Sequence, residues 1–464
     1  MNLSRRHILQ SASAGFGYTA FSALSTWAAE QPTTRRPVPA VMGDVSLLPK
    51  QPHFPARAKR VIFLAMQGAP SHLDTFDYKP ALAYGKAQQG KMVAAAAPFH
   101  QQGKSGLWMS DLFPNLAAHA DELCLLNGMH TDIPNHASAF VQLHTGSNQF
   151  VRPSLGAWTL YGLGTENQNL PGFITINPPM AQGGAQNFGS AFLPAPYQGT
   201  RIGEHEKGKG RNAASETPSI GNILNTRLTP KLQREQLDLI QAMNHDLLNQ
   251  SSNTSEIEGV IQSYELAFRM QDEVPRVMDL SKESSATLSM YGIGDSTTDE
   301  FGKQCLMARR FAEAGVRFIE IGNQGWDHHS NLKSRITSST AAIDKPIAGL
   351  LADLKSRDML KDTLVIWGGE FGRTPDNGSG DGRGHNAKGY TMWMAGAGVK
   401  GGMRYGATDE VGRSAVDGMI HTHDLHATIL AFLGLNHEKL TYRYGGRDFR
   451  LTNVSGNVVR AIMA

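Results

Sequence analysis

Val61-Ile62-Phe63-Leu64-Ala65-Met66, followed at once by Gln67-Gly68-Ala69-Pro70-Ser71-His72-Leu73-Asp74, is the stretch that decides the fold. Six apolar residues, β-branched at the start and stopped by a Gly/Pro turn, read as a strand buried on both faces, as strands of a parallel sheet are. The polar loop leaves from the strand's carboxyl end, the edge where open α/β sheets place ligands. The arrangement recurs three times. Leu123 to Leu126 leads into Gly128-Met129-His130, Val316 to Ile321 into Gly322 to Asn331, and Leu364 to Trp367 into Gly368-Gly369-Glu370. Helical patterns flank these runs, such as Phe301, Cys305, Ala308 and Ala312 before the third. The expectation is an α/β fold, a doubly wound, mostly parallel sheet with helices on both faces.

The middle of the chain differs. Residues 229 to 272 carry Leu237, Ile240, Met243 and Leu247 at helical spacing among many charges, and read as a helical insertion packed on the sheet. Residues 178 to 218, rich in Gly, Pro and Ser, read as a long covering loop, so that the insertion spans 178 to 272. At the other end, residues 1 to 30 read as a twin-arginine-type signal: Ser4-Arg5-Arg6-His7-Ile8-Leu9-Gln10 precedes a weakly apolar stretch that runs to about Ala28. A Pro-rich linker at 31 to 57 then leaves 58 to 464 as the folded domain. This order predicts export to the periplasm or cell envelope. No later run is long and apolar enough to span a bilayer.

Composition narrows the function classes. The 44 Lys and Arg against 41 Asp and Glu give a net charge of +3, too weak a bias for an electrostatic nucleic-acid partner. Only Cys124 and Cys305 are present, so there is no disulfide framework and no thiolate zinc motif. Both sit among apolar neighbours and read as buried thiols.

The histidines and acids crowd into the loops after the predicted strands: His72, Asp74 and Asp77; His130, Asp132 and His136; Asp327, His328 and His329; Glu370 and then His385; and His421, His423, Asp424 and His426. Imidazole and carboxylate converging from separate loops is the donor set of Zn, Mn or Fe, and the inventory suffices for one ion or two. Asp74 reads equally as a cap of the helix starting near Thr75 or as a ligand. Asp327 and His329 read as ligands, since a Gly-rich loop after a buried strand has little structural need of them. Glu370 and His385 read the same way, and Arg373 either holds a substrate anion or pairs with Glu370. Asp424 reads as the N-cap of the helix through Ile429, Leu430 and Leu433. The segment from Asn135 to Gly146 reads as a helix whose first turn points its N–H groups at an anion.

Longer stretches carry a resemblance. Gly-Ala-Pro-Ser-His-Leu-Asp-Thr-Phe-Asp-Tyr-Lys-Pro at 68 to 80, Gly-Trp-Asp-His-His-Ser-Asn-Leu at 325 to 332, Gly-Glu-Phe-Gly-Arg-Thr-Pro at 369 to 375 and Thr-Tyr-Arg-Tyr-Gly-Gly-Arg-Asp-Phe-Arg-Leu-Thr at 441 to 452 resemble the domain of unknown function family 1501, exported bacterial proteins related to sulfatases and alkaline phosphatases. The resemblance implies an alkaline-phosphatase-like α/β fold with Asp74, Asp327, His329, Glu370 and His385 around one or two divalent metals, Zn or Mn. Relatives place Ser, Thr or Cys nine residues before the Thr-Gly that ends a nucleophile helix. Counting back from Thr145, this chain has His136 there, which makes His136 the candidate catalytic residue and sets ordinary serine or formylglycine chemistry aside.

The expectation is therefore an exported metal-dependent hydrolase acting on a phosphate or sulfate ester of a small molecule or polysaccharide. The competing expectation is a binding or structural protein of the envelope that keeps the fold without the nucleophile.

Overall fold

The computed structural model describes residues 46–86, 91–203, 223, 227–250, 254–376 and 380–464. The signal segment, the first part of the Pro-rich linker and residues 204–218 of the loop at 178 to 218 lie outside the described residues. Residues 46–57, read as linker, are tied to the domain: the Lys50 N–H donates to Leu163 O, and the N–H groups of Arg57 and Ala58 donate to Phe432 O, each at 2.8 Å.

The first strand, β1 (Arg60–Met66), sits mid-sheet with β7 (Phe318–Asn323) and β8 (Thr363–Gly368) parallel on its two sides. The chain order of the remaining strands is β2 (Phe99–Gln102), β3 (Leu107–Ser110), β4 (Leu123–His130), β5 (Phe173–Ile176), β6 (Thr200–Ile202), β9 (Gly372–Arg373), β10 (His385–Asn386), β11 (Tyr390–Ala395), β12 (Met403–Tyr405), β13 (Ala407–Thr408), β14 (Ala415–Asp417), β15 (Ile420–His421), β16 (Tyr442–Tyr444) and β17 (Arg447–Phe449). Among the described residues the main sheet runs β12-β4-β11-β8-β1-β7-β5-β6, with β15 also on β4. Every pairing in it is parallel except those of β11, which is antiparallel to both β8 and β4. The mostly parallel, doubly wound α/β expectation holds. Successive residues of β8 and β11 are all buried, which requires apolar cover on both faces of the sheet.

The helices are α1 (His72–Thr75), α2 (His136–Thr145), α3 (Leu155–Leu163), α4 (Pro230–Gln250), α5 (Thr254–Met278), α6 (Ser285–Met290), α7 (Asp299–Glu313), α8 (Leu332–Ser356) and α9 (Thr422–Phe432). The insertion read at 229 to 272 is the pair α4 and α5. The segment at 178 to 218 is not loop throughout, since Thr200–Ile202 adds the edge strand β6 to β5. Three alternating residues that the turn chemistry hides are enough for an edge strand. Both cysteines are buried, and burial pushes the Cys124 thiol up to about 12, as the sequence expects of core thiols.

Histidines hold α2 in place. In the register of β1 and β7, Phe63 stands beside Glu320, and His144 of α2 lies against both: ring centroids 5.7 Å from Phe63, and Nε2 3.1 Å from Glu320 Oε2. From α9, His426 Nε2 reaches Leu143 O at 2.7 Å and His423 Nε2 reaches Gly146 O at 2.8 Å. Burial pushes His426 down to about 3, so it is a neutral imidazole that donates its Nε2 proton to that carbonyl. His421, not Asp424, is the N-cap of α9; its Nδ1 accepts the His423 N–H, and Asp424 accepts the His421 N–H from the third helical position.

Candidate metal centre

Four loops meet at the carboxyl edge of the sheet. After β1 comes 67–71, after β4 the segment that starts α2, after β7 the segment 324–331, and after β8 the Gly-Gly-Glu turn. His385 arrives from the segment ahead of β11. Because β11 runs against its neighbours, its leading end lies at the same edge as their trailing ends.

Two glycines make the approach possible. Gly68 has φ +105°, and a Cβ there would lie 2.7 Å from Asp327 N. A Cβ on Gly382 would lie 2.0 Å from the backbone carbonyl of His329, so only glycine lets the His385 segment close on the Asp327 segment.

His136, Asp327 and His385 converge, with one donor atom from each lying within 4.8 Å of the others. Asp327 Oδ1 is the hub: His136 Nε2 is 3.2 Å away, His329 Nε2 3.0 Å and His385 Nε2 3.5 Å. His329 Nε2 and His385 Nε2 are 2.9 Å apart. A tetrahedral ion with ligands at about 2.0–2.1 Å has donor–donor edges of roughly 3.3 Å, so these spacings fit one small divalent ion.

The other ring nitrogens fix which atoms face inward. His385 Nδ1 lies 2.8 Å from Pro134 O, so it carries the proton there and leaves the Nε2 lone pair toward Asp327. His136 Nδ1 lies 2.5 Å from Glu370 Oε1, and Glu370, fully buried, also accepts the N–H groups of Gly68 at 3.0 Å and Ala69 at 3.3 Å. His136 Nε2 is buried 3.2 Å from Asp327 Oδ1, an ion pair while the ring is protonated. Once that proton leaves, a ring lone pair faces a carboxylate oxygen across the gap, a place a cation would fill, and this fits a metal to the group. Phe371 walls the site, its ring 4.7 Å from His136 and 4.9 Å from His385.

Burial by itself would lower the His136 pKa, but Asp327 and Glu370 on its two nitrogens outweigh it and raise it to about 9. The metal-free protein therefore holds His136 protonated at neutral pH, and an ion must displace that proton. Metal affinity is expected to climb from pH 7 to about 9 and then level off in titration calorimetry. A flat profile over that range would refute the role of His136. Since its folded pKa lies above the unfolded value of about 6.5, its stabilisation of the metal-free chain is complete below about pH 6.5 and is lost as pH rises through 9.

Asp74 and Arg373 behave otherwise than as ligand and anion clamp. Asp74 lies inside α1, with Ser71 at the N-cap position, and is not among the converging residues. It is fully buried against Arg383, also fully buried, with Nε–Oδ2 at 2.7 Å and Nη2–Oδ1 at 3.2 Å. The Ser71 hydroxyl and the Ala96 N–H at 2.8 Å take its remaining lone pairs. A carboxylate in so dry a place needs a charge partner, and Arg383 supplies it. Arg373 is buried and holds Asp327 Oδ1 from Nη2 at 2.6 Å, while the rest of its fork bonds the carbonyls of Gly68, Ala69 and Arg383. It positions Asp327 and does not pair with Glu370.

Of the remaining clusters, His72 is buried and bonds Gly412 O at 2.8 Å. His421 Nε2 contacts Asp132 Oδ1 at 3.2 Å, but with its Nδ1 accepting the helix cap its Nε2 carries the proton, which makes it a donor to Asp132 and not a ligand.

Residues 58–463 match the model of the family described as protein of unknown function (DUF1501). The chain belongs to DUF1501. No curated protein matches this DUF1501 chain by sequence. Among solved structures it is similar to the alkaline phosphatase from the Antarctic bacterium TAB5, at 12% identity and TM-score 0.35, over 83% of this chain and 100% of that one. It is similar to the PsFucS1 sulfatase from Pseudoalteromonas sp., at 14% identity and TM-score 0.37, over 82% and 68%. It is also similar to the C-terminal periplasmic domain of EcEptC from Escherichia coli in complex with Zn, at 9% identity and TM-score 0.37, over 85% and 88%.

Proposed function

We propose that this DUF1501 protein is a metal-dependent hydrolase of a phosphate or sulfate ester, with His136, Asp327 and His385 holding one divalent ion, Zn or Mn. The observation that carries the reading is the convergence of those three side chains, two of them with their tautomers set from behind by Glu370 and Pro134. A bound ion would supply Lewis-acid polarisation of the ester oxygens. The chain's own groups do the rest. Glu370 fixes the ring of His136, and Arg373 fixes the carboxylate of Asp327. His329, half-exposed at the rim, has its pKa lowered chiefly by burial, so it is neutral near pH 7 and able to take a proton from attacking water. Phe371 keeps one wall of the site dry.

Among the described residues no hydroxyl or thiol shares the contacts of this group; His136 stands at the start of α2 instead. That observation favours, as a second reading, a binding or structural protein that retains the centre. Export to the periplasm or envelope by the twin-arginine route belongs to the same proposal and rests on residues 1–30.

The deciding experiment is a screen of the protein, loaded stoichiometrically with Zn or Mn, against phosphate and sulfate monoesters and diesters. Turnover that falls at least ~100-fold in His385→Ala is the expected result. A fully loaded protein that turns over none of them supports the second reading and sinks the first.

A further inference from the structure

At the far end of α2 from His136 lies a cleft of about 120 Å³ lined by Phe150, Arg152, Phe192, Arg447, Phe449 and Arg450 among others. Ten residues of helix separate the two ends, about 15 Å, so the cleft is distinct from the metal centre.

Its charge is unusual. The guanidinium of Arg152 lies 4.6 Å from the Phe449 ring centroid and that of Arg447 lies 4.1 Å from the same centroid. Two cations are thus drawn to one ring. Neither has a carboxylate partner among the described residues: Arg152 reaches only Val151 O at 3.5 Å, and Arg447 only the side-chain carbonyl of Asn453 at 3.2 Å. Arg450, at the same rim, has Glu438 at 3.6 Å. Two guanidinium groups around one ring, neither paired with a carboxylate, offer donors to an oxyanion, and the planar fork of arginine suits sulfate, phosphate and carboxylate alike.

The cleft opens onto a run of aromatic rings. Phe192 stacks with Tyr444 at 5.1 Å and 17° and meets Phe449 at 5.0 Å, while Phe150, 60% exposed, has the Arg152 guanidinium 5.1 Å from its ring centroid. Flat, partly exposed rings present an apolar face to the C–H face of a sugar. A cleft this small takes one charged substituent and leaves the attached ring outside, on the aromatics.

We infer that this cleft binds an anionic glycan, with Arg152 and Arg447 donating to a sulfate, phosphate or carboxylate group and the sugar ring resting on the neighbouring aromatic rings. It is a binding site separate from the ester-hydrolysing centre and stands whether or not that centre is catalytic.

The test is calorimetric titration of the full protein with three oligosaccharides of equal length, one sulfated, one phosphorylated and one of uronic acids, and with their neutral parent. At least one anionic oligosaccharide binds and the neutral parent binds at least tenfold more weakly. An Arg152→Gln/Arg447→Gln variant, its folding checked by thermal melting, loses at least tenfold, and so does Phe449→Leu, while His136→Ala binds as the unaltered protein does. The arm that binds names the acidic group. No binding in any arm overturns the proposal, as does unchanged binding by the double arginine variant. Inorganic sulfate or phosphate binding as tightly as the oligosaccharides reduces the site to a simple anion seat and overturns the glycan assignment.

Discussion

An Asp327→Ala variant is expected to hold less than a tenth of the Zn or Mn of the unaltered protein by elemental analysis, and to lose at least ~100-fold in metal affinity. The size of the effect follows from the hub position. Three imidazole nitrogens lie within 3.5 Å of Asp327 Oδ1, and the carboxylate is the only negative charge among the converging donors. Burial alone would raise the Asp327 pKa, yet the contacts with His136 and His385 and the hydrogen bond from Arg373 hold it far below the usual carboxylate range, so the group is ionised at neutral pH. Removing it leaves imidazoles facing one another and Arg373 buried without its acid. Glu370→Gln probes a different link: it keeps every ligand and frees only the ring of His136, so a loss of about 10–100-fold is expected. Equal metal content in the unaltered protein and in Asp327→Ala would place the ion elsewhere.

The second large effect is on stability. Arg383→Met or Asp74→Ala is expected to destabilise the fold by about 3–5 kcal/mol in chemical unfolding, because each leaves a charge buried and unpaired. Both side chains are fully buried, and Arg383 also bonds the carbonyls of Val93, Ala94, Thr374 and Pro375. Joining the two changes removes the orphan. The double variant should therefore be more stable than the Arg383→Met single, and a double that falls by the sum of the two would refute the account. Acid gives an independent check. Burial raises the Asp74 pKa and Arg383 more than offsets it, so the net shift is downward. The stabilisation is present above the unfolded value of about 3.9 and disappears as pH falls through the lower folded value.

These two results bear on what could be read from residues alone. The strands after which the site is built are apolar runs closed by glycine, a signal that physics makes nearly unavoidable for a strand buried on both faces, and the site residues in the loops behind them were visible for the same reason. Asp327 and Glu370 stood out because polar residues at a strand's carboxyl end have few structural duties, His385 because it sits in a polar glycine-rich loop, and His136 only through the resemblance that counts back from Thr145. The fate of Asp74 was not. Its partner lies 309 positions away, and nothing local to Asp-Gly-Arg-Gly-His distinguishes an arginine that will be buried from one in solvent. Nor did spacing tell that His423 and His426 are fasteners between α2 and α9, since a donor that needs a carbonyl and one that needs a metal look alike in sequence. The antiparallel sense of β11 was equally hidden, because strand direction is decided by partners and not by composition.

That reversed strand has a consequence for the order in which the chain can assemble. β4 is made from residues 123–130, yet its link to β8 and the rest of the sheet runs through β11, which is made from residues 390–395. Until that late segment exists, an apolar strand from the first third of the chain has an open edge and no inner neighbour, which is the state most prone to pairing with another chain. Completion of the sheet therefore waits on its C-terminal side, and a polypeptide cut between residues 385 and 390 keeps all three residues of the candidate metal centre but lacks the strand that follows His385 and joins β4 to β8.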